Sequence, residues 1–247
     1  MKVDLISYTP DAISLLLFTK DTRLQGAQSI DDIKNWPESK QLEHLEYMRN
    51  TIQSSWEFVE YVFHIQDVSR AFTHQLVRTR TGSYAQESQR TVDVSDHDVL
   101  NTTGSAIFDI AAQNVMKDYK NMIDKGVPVQ DARGILPTNV LTNIIAKFDL
   151  RTLHNMALVR LCTRTQGEYQ NVFRVMRDAV VNVHPWAKDF IKARCAWDGT
   201  CEFPMYKACP IQDMTYKAHK EKLDIIQMQL ETIQHQATPI AKDGKTM

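Results

Sequence analysis

The sequence predicts an α+β protein built on one main domain. Two observations set the class. In short runs near residues 2–8 and 58–65, apolar side chains alternate with others, the period of a half-buried strand. Elsewhere, over longer runs, apolar side chains recur every three or four positions, the period of a helix packed by one face. A third observation sets the organisation. No Pro/Gly/Ser-rich linker divides the 247 residues, and an apolar share of 43% can fill a core.

In chain order, Val3 and Leu5 mark one face of a strand over 2–8. Pro10-Asp11 opens a short helix through Leu15 and Leu16. Ser29-x-x-Asp32 has the form of a capping box, in which the serine accepts an orphan amide and the carboxylate reaches back. Pro37 starts a helix with Leu42, Leu45 and Met48 on one face. Val59, Tyr61 and Phe63 alternate against Phe58, Glu60 and Val62, which predicts a strand over 58–65. Residues 69–77 read as helix, and 92–101 as an acidic loop or strand edge. Ile107, Ile110, Ala111 and Val115 predict a helix over 107–122, punctuated by Gly126-Val127-Pro128. A short helix over 128–135 stops at Leu136-Pro137. Val140, Ile144 and Ile145 fit either state, and the centre of 139–148 is read as strand. Helices are predicted over 150–166 and 168–183, with Pro185 interrupting and a short helix continuing to Ala193.

Bulk properties narrow the function. A net charge of −1 gives no general attraction to nucleic acid or to a membrane surface, so anion binding must come from local basic clusters. No apolar run reaches membrane-spanning length. The run over 12–18 is short, follows Asp4 and Asp11, and has no small-residue cleavage site, so no signal peptide is expected. Four cysteines in a chain this long do not make a disulfide framework, and a cytoplasmic chain is expected.

One stretch stands out: Gln75-Leu76-Val77-Arg78-Thr79-Arg80-Thr81-Gly82-Ser83-Tyr84-Ala85-Gln86-Glu87-Ser88-Gln89-Arg90. Arginine presents several donors in a planar fork that matches phosphate oxygens in pairs. Arg78 and Arg80 flank one spot, Ser83 and Ser88 add short donors, and Gly82 lets backbone approach a ligand. The stretch begins where the 69–77 helix ends, a usual place for binding groups.

This stretch resembles the signature of the flavin-dependent thymidylate synthases, R-H-R-x-x-S-x-N-x-x-S-x-R. Arg78, Arg80, Ser83, Ser88 and Arg90 fall on the pattern; Thr79 stands where the family usually has His, and Ala85 where it often has Asn. The flanks are similar too: Ser54-Ser55-Trp56-Glu57, the run from Val68 to Val77, Gly126-Val127-Pro128, and Ala132-Arg133-Gly134-Ile135-Leu136-Pro137. Asp149-Leu150-Arg151, Asn155, Arg160, Gln166 and Glu168 keep the family's order, with Asp149 in place of the usual Asn. The resemblance covers residues 1–195. It leaves 196–247 as a C-terminal extension, in which Leu223, Ile226, Leu230 and Ile233 predict a helix over about 213–235.

The resemblance implies a central, mostly antiparallel sheet flanked by long helices, and homotetramers with shared sites. It implies methylation of dUMP at uracil C5, with methylene-tetrahydrofolate as carbon donor and NADPH reducing FAD. Residues matching the family's dUMP contacts are Gln75, Leu76, Val77, Arg78, Gln86, Glu87, Ser88, Gln89, Arg90, Arg133 and Arg160. Arg90 and Arg133 are the choices for the phosphate. Those matching its FAD contacts are Ser54, Arg78, Thr79, Arg80, Gln86, Asp149, Leu150, Arg151 and Asn155. Arg160 takes the catalytic position, where a permanent cation stabilises an N3 anion and so activates C5. No Gly-x-Gly-x-x-Gly occurs, so a Rossmann mode of flavin binding is not indicated. The departures mark a divergent member, in a host's cytoplasm if the source is a virus. They leave open a relative acting on another pyrimidine nucleotide such as dCMP, or a flavin or nucleotide binder without catalysis.

Three further readings come from the residues. On a helix over 150–166, Arg151 and Asn155 share one face, and Arg160 and Arg164 share another about half a turn away. Such a helix would lie between two sites in an oligomer, the alternative for Arg160 being an ion pair with Glu168. His74 and Cys162 read as packing residues. Cys195, Cys201 and Cys209 lack the tight C-x-x-C pairing of zinc sites, so they read as packing thiols and no metal is expected.

Overall fold

The computed structural model describes residues 1–203 apart from Gln25, Gln28 and Ile52, together with Met205, Tyr206, Cys209 and Met228. Its centre is a four-stranded antiparallel sheet in the order β1-β2-β4-β3, with β1 Lys2–Tyr8, β2 Glu60–Ser69, β3 Ser83–Gln86 and β4 Leu141–Asp149. The two central strands carry the core. Tyr61, Phe63 and Ile65 of β2 and Ile144, Ala146 and Phe148 of β4 are buried, whereas Glu60 and Ile145, a step out of phase, are exposed. That is the period-two pattern of a sheet packed on one face. A bulge between Ile65 and Val68 places Asp67 at φ 53, and its amide donates to Asn143 Oδ1 at 3.2 Å. β2 then runs directly into α4 (Arg70–Leu76).

The remaining helices are α1 Ala12–Asp21, α2 Ile30–Lys34, α3 Glu38–Asn50, α5 Ala106–Asp124, α6 Val129–Ala132, α7 Leu150–Arg160, α8 Gly167–Val183 and α9 Arg194–Trp197. The Ser29–Asp32 capping box forms at the start of α2. Leu16 and Leu17 of α1, Leu150 and Leu153 of α7, and Tyr169, Val172, Phe173 and Met176 of α8 join the strands in one core, with Trp56 at its base. Among the described residues no helix is long and apolar enough to cross a membrane.

Several elements differ from the sequence pattern. α7 stops at Arg160 instead of running to 166. Side chains from the connection and from α8 take carbonyls at and just past its end: Thr165 Oγ1 donates to Val159 O at 2.8 Å, and Gln170 Nε2 to Leu161 O at 3.3 Å and Cys162 O at 2.6 Å. Arg164 therefore lies beyond the helix and does not form a helical pair with Arg160. After Pro185 the chain makes a 3-10 turn, Pro185–Asp189, and the next helix is α9, where one short helix to Ala193 was expected. β3 sits inside the arginine-rich stretch and is too short for alternation to announce it. On α3, Leu45 and Met48 are buried but Leu42 is 49% exposed. The α5 stripe is the larger surprise: Ile107 is 79% and Ile110 60% exposed. The packed part of α5 is its C-terminal half, where Tyr119 meets Val94, Ala132 and Met122 in a small second core. The helix expected over 213–235 falls outside the described residues, apart from Met228.

Candidate active site

The site is laid out by α4, the turn after it, and the start and end of α7. Ser69 caps α4 by accepting the Phe72 amide at 3.0 Å. Its own amide and hydroxyl donate to the Glu168 carboxylate at 2.7 and 2.5 Å. Glu168 thus clamps α4 from the first turn of α8, where a carboxylate also suits the helix dipole. This replaces the expected alternative of a Glu168–Arg160 ion pair.

Past α4 the chain turns sharply through residues 77–82. The Tyr84 hydroxyl donates to Thr79 O at 2.7 Å and Leu76 O at 3.0 Å, holding the turn from below. Burial pushes the Tyr84 phenol up to about 12, so it remains a donor at neutral pH. Gly82 is needed here, because a Cβ would stand 2.5 Å from the Phe148 ring and from the Tyr84 hydroxyl. Thr152 Oγ1 donates to Thr81 Oγ1 at 3.0 Å, tying the turn to the start of α7. Asp149 caps that helix by accepting the Thr152 amide at 2.6 Å. A carboxylate at this position therefore has a local structural use.

The turn presents its arginines outward. Arg78, Arg80 and Arg90 are exposed, and no carboxylate among the described residues pairs with them. Elsewhere Arg49, Arg151, Arg177 and Arg194 each have an acidic partner. Arg133, also exposed, donates through Nε to Gln130 O at 3.1 Å. Behind it lies Arg70, half-buried, with Nη1 on Glu87 O at 3.3 Å. Burial and then the neighbouring Arg133 hold the Arg70 guanidinium below its ordinary range, against the pull of Glu87. Arg70 and Arg133 are near enough to feel each other's charge, which Glu87 offsets in part. Arg70 was not among the expected site residues; its adjacency to Arg133 exists only in the fold.

The other expected residues divide by what they touch. Gln86 Nε2 donates to Thr73 Oγ1 at 2.8 Å, and Gln75 bonds the side chain of Gln166. Glu87 accepts from Thr142 Oγ1 at 3.3 Å and lies 3.6 Å from His97 Nε2. Ser88 Oγ accepts the Arg90 amide at 3.2 Å, which shapes the loop carrying Arg90. Gln89 is half-buried and Val77 exposed beside the turn. Leu76 and Leu150 have core side chains, so only their backbone could meet a ligand. Ser54 accepts from Arg23 Nη1 at 3.3 Å, Arg151 pairs with Glu57, and Asn155 is exposed one turn along α7.

Arg160 closes α7 under a different regime. Its guanidinium carbon stands 4.4 Å from the ring centroid of the fully buried Tyr169. The Tyr169 hydroxyl meets no partner at hydrogen-bonding geometry, although Thr79 and Arg160 lie near enough to pull its pKa down; burial, the stronger influence, raises it. Phe72 meets the same ring edge-on, with centroids 5.0 Å apart. Thr79, Tyr169 and Arg160 therefore form one patch, which the spacing of these residues does not reveal. Arg151 and Asn155 lie on the other side of α7, by Glu57. Arg164 stacks on Phe203 and Tyr206.

None of four well-formed cavities on the described surface is lined by Arg78, Arg80, Arg90, Arg133 or Arg160. In a single chain the arginine set is an open face. The family model described as thymidylate synthase complementing protein matches residues 4–186, most of the chain. The chain belongs to the flavin-dependent thymidylate synthase family. Curated family members include one from Sulfolobus acidocaldarius, 32% identical over 204 residues and covering 75% of this chain and 74% of that one. One from Geobacter sulfurreducens is 32% identical over 197 residues, covering 75% and 84%. One from Pyrococcus furiosus is 30% identical over 225 residues, covering 81% and 89%. The fold matches the crystal structure of the flavin-dependent thymidylate synthase of Helicobacter pylori complexed with FAD and dUMP. There the TM-score is 0.65 at 18% identity, over 78% of this chain and all of that one. For this synthase, Thr79 and Asp149, the departures noted in the sequence, are built into the local structure: the first beside Tyr169, the second as a helix cap.

Proposed function

We propose that the chain converts dUMP to dTMP, with methylene-tetrahydrofolate and NADPH as co-substrates and FAD as cofactor. The observation that carries this is the set of arginines without acidic partners: Arg78 and Arg80 on the braced turn over 77–82, and Arg90 on the loop after β3. A protein of net charge −1 has carboxylates to spare, so unpaired guanidinium groups on a braced turn fit anionic ligands. Arg90 and Arg133 would hold the nucleotide phosphate, backed by Arg70, with Ser88 shaping the loop. Arg78, Arg80 and Arg151 suit the pyrophosphate of FAD, and that donor set fits the cofactor chemically. When bound, FAD supplies the reducing equivalents that turn a transferred one-carbon unit into a methyl group. Arg160 would stabilise negative charge on the uracil ring. It is permanently charged, so it does so without exchanging a proton, and Tyr169 fixes its plane.

The open arginine face and the exposed Ile107 and Ile110 of α5 support a homotetramer, in which a second copy covers α5 and walls the site. The test is purification followed by assay. A yellow tetramer that converts dUMP to a product of dTMP mass is expected. A colourless monomer inert toward dUMP, or one that methylates dCMP instead, would overturn the reading.

A further inference from the structure

All four cysteines of the chain line one cavity. Cys162 comes from the connection after α7, Cys195 from α9, and Cys201 and Cys209 from the segment beyond. The cavity holds about 210 Å³ and is otherwise mainly apolar, with Leu158, Leu161 and Phe203 in its wall. All four sulfurs are unbridged. Four thiols from two separate parts of the chain need a reason to share one small apolar space.

One contact suits a thiolate. The Phe203 amide donates to Cys201 Sγ at 3.4 Å, a backbone N–H from two residues on aimed at sulfur. Several thiolates cannot share an apolar cavity without a cation, and a cation removes the conflict by displacing their protons.

We propose that this cavity is a structural site for one soft divalent metal ion, with zinc as the natural occupant, held by Cys162, Cys195, Cys201 and Cys209. Binding releases one proton from each thiol that ligates. A dication on four thiolates keeps a net negative charge; Arg194 in the cavity wall is already paired, with Glu202 at 2.6 Å and Asp198 at 3.6 Å. Among the described residues no three His, Cys, Asp or Glu side chains stand close enough together to hold a metal ion as they are, so occupation requires the four thiols to close in, to metal–sulfur distances of about 2.3 Å. The irregular gaps that argued against a metal in the sequence are bridged by the fold. The site would pin the segment after α9 to the connection that starts at Arg160.

The experiment uses the full chain, purified without chelator or polyhistidine tag. Elemental analysis should find about one zinc per chain. Cobalt substitution should give the intense charge-transfer bands of a tetrahedral thiolate site, and all four thiols should react with a thiol reagent only after chelation. Cys162→Ser and Cys201→Ser should lower metal content to background; if either fails to fold, the wild-type metal content and cobalt spectrum decide. Metal-free protein with four freely reactive thiols, or a mass showing intrachain disulfides, would overturn the proposal. Flavin absorbance is read separately: zinc-loaded, flavin-free protein would leave this proposal standing and sink the functional one.

Discussion

The arginine turn and the cysteine cavity both adjoin the C-terminal end of α7, yet they are built in opposite ways. The turn is contiguous in sequence, exposed, and rich in charge left without partners. The cavity is gathered from Cys162 and the 195–209 segment, and is largely apolar. The difference teaches what each region is for. On the proposed reading the unpaired charge on a braced surface serves ligand binding, and its loss should cost activity while the fold survives. The half-buried sulfurs between two chain segments would, by the same proposal, form a joint, and their loss should cost structure first.

The strongest way to break this contrast is Arg160→Ala. Turnover should fall at least about a hundredfold, roughly 2.7 kcal/mol, with thermal stability and flavin content close to wild type. A rate within about tenfold of wild type would remove Arg160 from the chemistry. Next, Tyr169→Leu should lower kcat about tenfold with little change in the KM for dUMP, because it deletes the ring beneath Arg160. Tyr169→Phe should retain most activity, since the hydroxyl has no hydrogen-bond partner. Equal losses in both variants would make the hydroxyl, not the ring, the working group. Smaller again is Arg90→Ala, expected to weaken dUMP binding by about tenfold, roughly 1.4 kcal/mol, and flavin binding by less. Titration showing the reverse order would reassign Arg90 to the flavin.

The smallest effect concerns the body that carries both regions. His154 is buried with Nδ1 2.7 Å from Phe190 O, and burial lowers its pKa from an ordinary 6.5. His184, 2.9 Å from the Tyr61 hydroxyl, is lowered by burial too. Both are neutral in the folded chain and gain protons more readily when unfolded. Their contribution is therefore present above pH 6.5 and lost as pH falls toward the folded values. The melting temperature should drop on acidification through this window, and a flat profile would contradict the assignment.

How much was legible follows the same division. The alternation of Val59, Tyr61 and Phe63 and the capping box at Ser29 are local patterns, and the structure contains both. The arginine signature was legible because it is contiguous in sequence, running from the turn through β3 to the loop of Arg90. Arg70 against Arg133, and Tyr169 under Arg160 beside Thr79, were not, since tertiary packing alone makes them neighbours. The end of α7 was misread because Thr165 and Gln170 cap it through side chains from beyond the helix. The helical period of α5 was right, but a period does not say which face finds a partner. Ile107 and Ile110 stay exposed in the single chain.

The most direct test of the central claim is a reaction of the purified, flavin-loaded protein with dUMP, methylene-tetrahydrofolate and NADPH, the nucleotide product being weighed. Wild type should yield dTMP while Arg160→Ala, equally yellow and equally folded, yields almost none. Unchanged dUMP from the wild type, or undiminished dTMP from the variant, would contradict the account.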